Sequence, residues 1–227
     1  MKTFAVVLSA GSSSRFAQEE KKQFYLIKGK PVLWYSLNAF NSSKRIDEII
    51  VVAAKEDLEK VKEIVKEFNK VKSVVIGGSS RQESVKNGLD AIKEENGFVL
   101  IHDSARPLVD EDIISRLLQS LEKFDGATPA IKVVDTTVKA VDGELISFEN
   151  RDLLYFIQTP QAFRLDVIKK AHVKFLGQNA TDDTQLVKLL GKKVAIIEGK
   201  EKLKKITKLE DTNAIEAYIE KNEYLQN

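Results

Sequence analysis

The 227-residue chain has no cysteine, two histidines, one methionine and one tryptophan. Without cysteine there is no disulfide framework, thiolate nucleophile or cysteine-ligated metal, a usage that fits a reducing cytoplasm. His102 and His172 are too few for a histidine-rich metal centre. No uninterrupted apolar run approaches the roughly 20 residues of a membrane-spanning helix. The apolar stretch of MKTFAVVLSAG is too short, and too soon followed by loop residues, to act as a secretory signal. An excess of one charge is also lacking. The 36 Lys+Arg face 34 Asp+Glu, a net charge of +2, so no dedicated nucleic-acid surface is implied and any anion site is local. Chemistry here runs on Lys, Arg, Asp, Ser and Thr.

What the chain does have is alternation. TFAVVLS (3–9), DEIIVVAA (47–54), KSVVIG (72–77) and GFVLIHD (97–103) are short, β-branched apolar runs that suit strands covered on both faces of a parallel sheet. Between them the period becomes helical. Residues 55–68 place Leu58, Val61, Ile64, Val65 and Phe68 on one stripe. Residues 31–43 open with Pro31, favourable in a first turn, and carry Val32, Leu33, Leu37 and Phe40 on one side. Asp110 is placed to cap a third helix, striped by Ile113, Ile114, Leu117, Leu118 and Leu121. This spacing predicts right-handed βαβ units in a doubly wound α/β sheet. After residue 130 the texture changes. IKVVDTTVKAVDGELISFENRDLLYFIQTPQAF alternates about the turn VDGE and predicts a β-arm at about 132–153, standing off the sheet. Two strands alone are marginal in water, so the arm is expected to pack on a second copy of the chain. Helical patterns return at 165–176, 182–190 and 210–222, and no repeat or linker divides residues 1–227.

In open α/β sheets ligands bind beyond the carboxyl ends of the strands. There the chain places Ala10, Gly11, Ser12, Ser13, Ser14 and Arg15 after the first run, and Gly77, Gly78, Ser79, Ser80 and Arg81 after the third. HDSARP, with Asp103 and Arg106, closes the fourth. Taken singly, such a loop reads as a turn with a surface arginine. Three of them converging make an anion site of main-chain donors and fixed cations. SAGSSSRF has neither the dinucleotide glycines nor the GK[ST] of a Walker loop, which sets aside a dehydrogenase and a P-loop NTPase. An aspartate ending a buried strand is costly unless it is hydrogen-bonded or beside a cation. His102 reads as a packed neutral imidazole, and Trp34 and Phe40 as core. Lys22, within the charge run EEKKQF, is unremarkable on pattern alone.

In order along the chain, SAGSSSRF with KKQF, GGSSRQESVKNGL, HDSARPLV, VVDTTVK, NRDLLYFIQTPQAF, ATDD and KKITKLED resemble the 2-C-methyl-D-erythritol 4-phosphate cytidylyltransferases of the non-mevalonate isoprenoid pathway. The resemblance covers nearly the whole chain. It implies a Rossmann-like nucleotidyltransferase fold, a mostly parallel twisted sheet with helices on both faces, and a β-arm that interlocks with its twin in a homodimer. It also implies CTP and a polyol phosphate as substrates, with Mg²⁺ as cofactor. By the same resemblance Ala10, Gly11, Ser12 and Ser13 wrap the triphosphate, Arg15 and Lys22 neutralise charge on the α-phosphate, and Gly78 and Ser84 help read cytosine. Asp103 is the implied Mg²⁺ ligand, with Arg106 beside it. The implied acceptor site takes Arg151 from the arm of the other subunit, a threonine at 136 or 137 (Thr136 or Thr137), Thr159 and Lys205, with Thr181 and Asp182 lining it. Three residues depart from the family pattern: Ser13 replaces a glycine, Phe16 a methionine, and Ser79 a residue that is often acidic. Ser13 must then adopt a conformation that glycine takes more readily.

Ribitol 5-phosphate cytidylyltransferases resemble the chain almost as well. A rival of another class is a nucleotide-sensing module that keeps the fold without turnover; Lys22, Asp103, Arg106 and Lys205 favour the enzyme. The implied nucleophile is a phosphate monoester, whose second pKa of about 6 leaves it mostly dianionic at neutral pH. No general base is required, which suits a chain so poor in histidine.

Overall fold

A computed structural model describes residues 1–16, 20–178 and 180–226, with side chains described as far as residue 221. Glu19, the first acid of the EEKKQF run, lies outside the described residues. The first half alternates as its apolar runs require. β1 (Thr3–Ser9) leads through two short strands, β2 (Leu26–Ile27) and β3 (Lys30–Pro31), to α1 (Val32–Ser42). Then follow β4 (Glu48–Ala53), α2 (Leu58–Val65), β5 (Val71–Ile76), α3 (Arg81–Asp90), β6 (Phe98–Asp103) and α4 (Glu111–Ser120). The second half comprises β7 (Gly126–Lys132), β8 (Val138–Val141), β9 (Glu144–Phe148), β10 (Tyr155–Ile157), β11 (Gln161–Arg164), α5 (Leu165–Lys174), α6 (Asp183–Leu189), β12 (Val194–Glu198) and α7 (Asp211–Gln226).

β6, β1, β4 and β5 lie side by side and parallel. Chain order reverses across β1, whose neighbours are β4 on one side and β6 on the other; this is the switch point where such sheets leave a crevice. β11 runs antiparallel between β6 and β7, β10 continues along the same edge of β7, and β12 lies parallel on its other edge. Successive strand residues point to opposite faces. Ala5, Val7 and Val51 therefore pack with Leu33, Leu37 and Phe40 of α1 and Ile113 and Leu117 of α4. Val6 and Val52 turn the other way, onto Val85 and Leu89 of α3, Ile168 of α5 and Leu186 of α6. Helices cover both faces, and the sheet is mostly parallel.

Several expectations need local correction. β5 is an edge strand and only half-buried, so its apolar run is not covered on both faces. The helix expected over 55–68 is shorter, a 3₁₀ turn at Lys55–Asp57 followed by α2. Pro31 is the N-cap of α1 and the end of β3 rather than a first-turn residue. The YFIQTPQAF part of the expected arm segment rejoins the main sheet as β10 and β11. β8 and β9 form a separate two-stranded sheet around Asp142 and Gly143. Both residues have positive φ, at 49° and 85°, the turn geometry that matches strand twist. Asp110 caps α4 as expected, accepting from Ile113 N at 3.0 Å.

Candidate active site

The loops after β1, β5 and β6 meet around a cleft of about 350 Å³, lined also by Lys22, Gln23 and Lys205. Gly77 stands where the first two loops touch. A Cβ there would lie 2.7 Å from the Cβ of Ala10 and 2.8 Å from Ser84 Oγ, so the loops close this tightly only over glycine. Gly78 N–H donates to Ser84 Oγ at 3.1 Å, and Ser80 caps α3 by accepting from Glu83 N at 3.1 Å. The residues of the second loop are thus fixed from within α3.

In the first loop Ser13 has φ of +57°, in the left-handed region, as expected from a serine in a glycine position. For a non-glycine residue such a conformation costs of order 1 kcal/mol or more. The Ser13 hydroxyl is anchored in return: it donates to Gln23 Oε1 at 3.0 Å and accepts from Lys22 N at 3.2 Å. Phe16, the second departure, is buried with Ile27, Val32, Ile206 and Ile215 and sits edge-on to Tyr25. It pins the far end of the loop to the body of the protein.

The third loop carries the charge. Asp103 Oδ2 accepts from Lys205 Nζ at 2.5 Å, and Oδ1 lies 3.4 Å from Arg81 Nε. Burial would raise this carboxyl, but Arg81 and Lys205 outweigh it and hold Asp103 well below the usual carboxylate range. Arg81 reaches on to Asp183 Oδ2 at 2.7 Å, and the fully buried Asp183 also meets His172 Nε2 at 2.9 Å. Burial, reinforced by Lys205 and Arg15 and opposed by Asp103, lowers the Lys22 ammonium below an ordinary lysine. A cation held among like charges gains most from an arriving anion.

Behind Asp103 the hydrogen bonds fix a tautomer. Asp103 N donates to Thr159 Oγ1 at 3.1 Å; Thr159 Oγ1 lies 3.1 Å from His102 Nδ1, and His102 Nε2 lies 3.1 Å from Arg106 O. A carbonyl only accepts, so Nε2 carries the proton and the Thr159 hydroxyl donates to Nδ1. Burial pushes His102 down to about 3, and the ring is neutral, as its sequence context predicts. It braces the turn and is no proton acceptor for the cleft.

Of the predicted set, Ala10, Gly11, Ser12, Lys22, Gly78, Ser84, Asp103 and Lys205 line this cleft. Ser13 borders it through Lys22, and exposed Arg15 lies close enough to act on the Lys22 charge. Arg106 commits its guanidinium to main-chain carbonyls, Leu203 O at 2.6 Å and Ile157 O at 3.4 Å, which ties the third loop to the segment before Lys205. Thr136, Arg151 and Thr181 do not line the cleft. Thr136 is exposed, Arg151 Nη1 donates to Val134 O at 2.7 Å, and Thr181 Oγ1 accepts from Gln185 Nε2 at 3.3 Å. Two groups escape the sequence reading. Arg81 stood in the second loop without a role, and Gln23 was hidden beside Lys22 in a run that reads as solvated. The partner of Arg81, Asp183, sits 102 positions away, and only the fold brings them together.

A sequence model of the family described as IspD, 2-C-methyl-D-erythritol 4-phosphate cytidylyltransferase, matches residues 3–221. The enzyme of that name from Clostridium acetobutylicum is 43% identical over 224 residues, covering 96% of this chain and 97% of that protein. Its namesake from Geobacter metallireducens is 40% identical over 230 residues, covering 96% and 98%. Among solved structures, the 4-diphosphocytidyl-2C-methyl-D-erythritol synthase of Anaerococcus prevotii superposes with a TM-score of 0.84 at 31% identity, covering 96% of this chain and 98% of that one. The chain therefore belongs to the 2-C-methyl-D-erythritol 4-phosphate cytidylyltransferase family.

Proposed function

We propose that this chain transfers a cytidylyl group from CTP to 2-C-methyl-D-erythritol 4-phosphate. An oxygen of the acceptor phosphate attacks the α-phosphorus, the bond from that phosphorus to the oxygen bridging to the β-phosphate breaks, and pyrophosphate leaves. The observation that carries this reading is one cleft lined together by Lys22, Lys205, Asp103 and the loop residues Ala10, Gly11 and Ser12. The acceptor is already a dianion, so what the step needs is cations and donors to spread charge in line, and the cleft supplies those. Ala10–Ser13 hold the triphosphate, with Arg15 and Lys22 at the α-phosphate. Gly78 and Ser84 lie on the base side. Lys205, together with Thr159, fixes the acceptor side around Asp103, while Arg106 and Thr181 shape its surroundings.

Among the described residues no three His, Asp or Glu side chains form a metal cluster, and Asp103 is the one carboxylate lining the cleft. That donor set fits Mg²⁺, which commonly takes one or two carboxylates and completes its shell with substrate phosphates and water. When bound, the ion supplies charge neutralisation at the triphosphate. Asp103 stays ionised for it at neutral pH because Arg81 and Lys205 hold its proton off.

The hairpin β8–β9 exposes Val141, Leu145, Ile146 and Phe148, an apolar surface on a sheet too small to stand alone. Covering it with a second copy would make a homodimer, and Arg151, beside this hairpin, would then serve the neighbouring subunit's acceptor site together with Thr136 or Thr137. CTP labelled at the γ-phosphorus, so that the label leaves in pyrophosphate, offered with methylerythritol phosphate or with ribitol 5-phosphate, tests the function. Rapid pyrophosphate release with the first and not the second is expected. Fast release only with ribitol phosphate would overturn the acceptor, and CTP binding without release from either would leave a sensor.

A further inference from the structure

The side chain of Gln23 is buried, yet every polar atom in it is used, and each is used on the phosphate-facing loop. Its Nε2 donates to the carbonyl of Ser9 at 3.2 Å and to the carbonyl of Gly11 at 3.2 Å. Its Oε1 accepts from the Ser13 hydroxyl at 3.0 Å, and that hydroxyl accepts from Lys22 N at 3.2 Å. The Gln23 carbonyl receives Leu33 N at 2.9 Å, anchoring the device to the first turn of α1. One side chain thus grips the strand end, the middle and the far end of a loop that no regular ladder supports.

We propose that Gln23 is a positioning residue that gives this loop its anion-binding polarity and couples it to Lys22. The argument rests on peptide geometry. In a trans peptide the C=O of one residue and the N–H of the next point in opposite directions. By drawing the carbonyls of Ser9 and Gly11 toward itself, Gln23 turns the N–H groups of Ala10 and Ser12 away from it, along the wall of the cleft those residues line. Two N–H groups turned outward on one short loop, with a fixed cation beside them, make a concave site for phosphate. A residue that did not grip those carbonyls would leave them free to face the cleft, where they repel phosphate. Among side chains of this length, only a primary amide offers two N–H bonds and an acceptor on one planar fork. Glutamate has the shape without the donors, and asparagine is one methylene short. The Ser13 link extends the same grip to the residue before Gln23, so loop and Lys22 move as one body.

This inference rests on the proposed binding of a nucleotide triphosphate in the cleft, and its test separates the two. Tripolyphosphate and CTP affinities are measured by calorimetry on the full chain, with steady-state constants for CTP and the acceptor alongside. In Gln23→Glu a carboxylate faces two carbonyls, and the loss of bonds to buried groups predicts about 10- to 100-fold weaker binding of both ligands. KM for the acceptor is expected to stay unchanged, a split that a general loss of structure would not give. Ser13→Ala, a milder change at a half-buried hydroxyl, serves as the second variant should Gln23→Glu fail to fold, and is expected to weaken both ligands about threefold. Wild-type affinity for tripolyphosphate in a folded Gln23→Glu protein, or equal losses for CTP and acceptor, overturns the positioning role. Failure of the unmodified protein to bind either ligand in the cleft instead overturns the proposed function beneath it.

Discussion

The two ends of this molecule are built on opposite terms. At the carboxyl edge of the parallel strands, two carboxylates are largely or wholly buried and each is held by two partners: Asp103 by Lys205 and Arg81, and Asp183 by Arg81 and His172. At the β8–β9 hairpin the reverse holds, with apolar side chains in the open and a loose pair, Lys139 with Glu149, on an exposed ribbon. Buried charge is tolerated only where geometry is fixed beforehand, and exposed apolar surface only where something comes to cover it. The first end is prepared for a ligand by its own chain. The second, in the function proposed above, is covered by another copy of the chain.

That contrast can be broken in order of effect. The largest change belongs to the cleft: Lys22→Ala, and likewise Arg15→Ala, are expected to lower kcat by about 10²- to 10³-fold while circular dichroism stays unchanged. The hairpin end is tested by mixing. Arg151→Ala and Lys22→Ala dimers are each expected to be nearly inactive, but a refolded equal mixture should recover roughly a quarter of wild-type turnover per chain, because half the dimers then carry one intact composite site. No recovery would mean that Arg151 serves its own subunit or none. For stability the same substitution type separates the ends. Asp183→Ala takes from the Arg81 guanidinium its 2.7 Å partner, and is expected to cost about 3–5 kcal/mol in urea unfolding, whereas Lys139→Ala on the ribbon should cost under about 1 kcal/mol.

The smallest effect is a pH dependence. His102 binds its proton near pH 3 in the folded protein and, unfolded, near the ordinary 6.5. Between those values the unfolded chain holds more protons, so the contribution of His102 is complete above about pH 6.5 and falls as the pH drops toward 3. In urea titrations, His102→Gln is expected to flatten that acid slope by the share of one histidine. An unchanged slope would place the imidazole in contact with water.

Much of this was legible from the chain, for reasons that differ by region. Continuous apolar runs fixed β1, β4 and β6, because strands buried on both faces admit nothing else, and Asp110 announced its cap. The loops stood out together, since one run of small residues with an arginine reads as a turn but three of them at neighbouring strand ends converge on an anion site. β5 misled because an edge strand can carry the same apolar run as a central one. β10 and β11 were absorbed into the arm because a strand that returns to a sheet after a hairpin looks, in sequence, like more hairpin. In the cleft, the roles of Gln23, Arg81 and Asp183 were invisible, since each acts through a contact set by the fold. The departure at Ser13 was legible, and its positive φ follows from chain geometry, but its attachment to Gln23 required coordinates.

The central claim is that phosphate is held where β1, β5 and β6 end, with Lys22 at the reacting centre. A crystal structure with CTP and Mg²⁺ tests it most directly. The account predicts the triphosphate along Ala10–Ser13, the α-phosphorus within reach of Lys22 Nζ, and the metal on Asp103. A nucleotide bound on the other side of the sheet, with Lys22 and Asp103 far from its α-phosphorus, would contradict it.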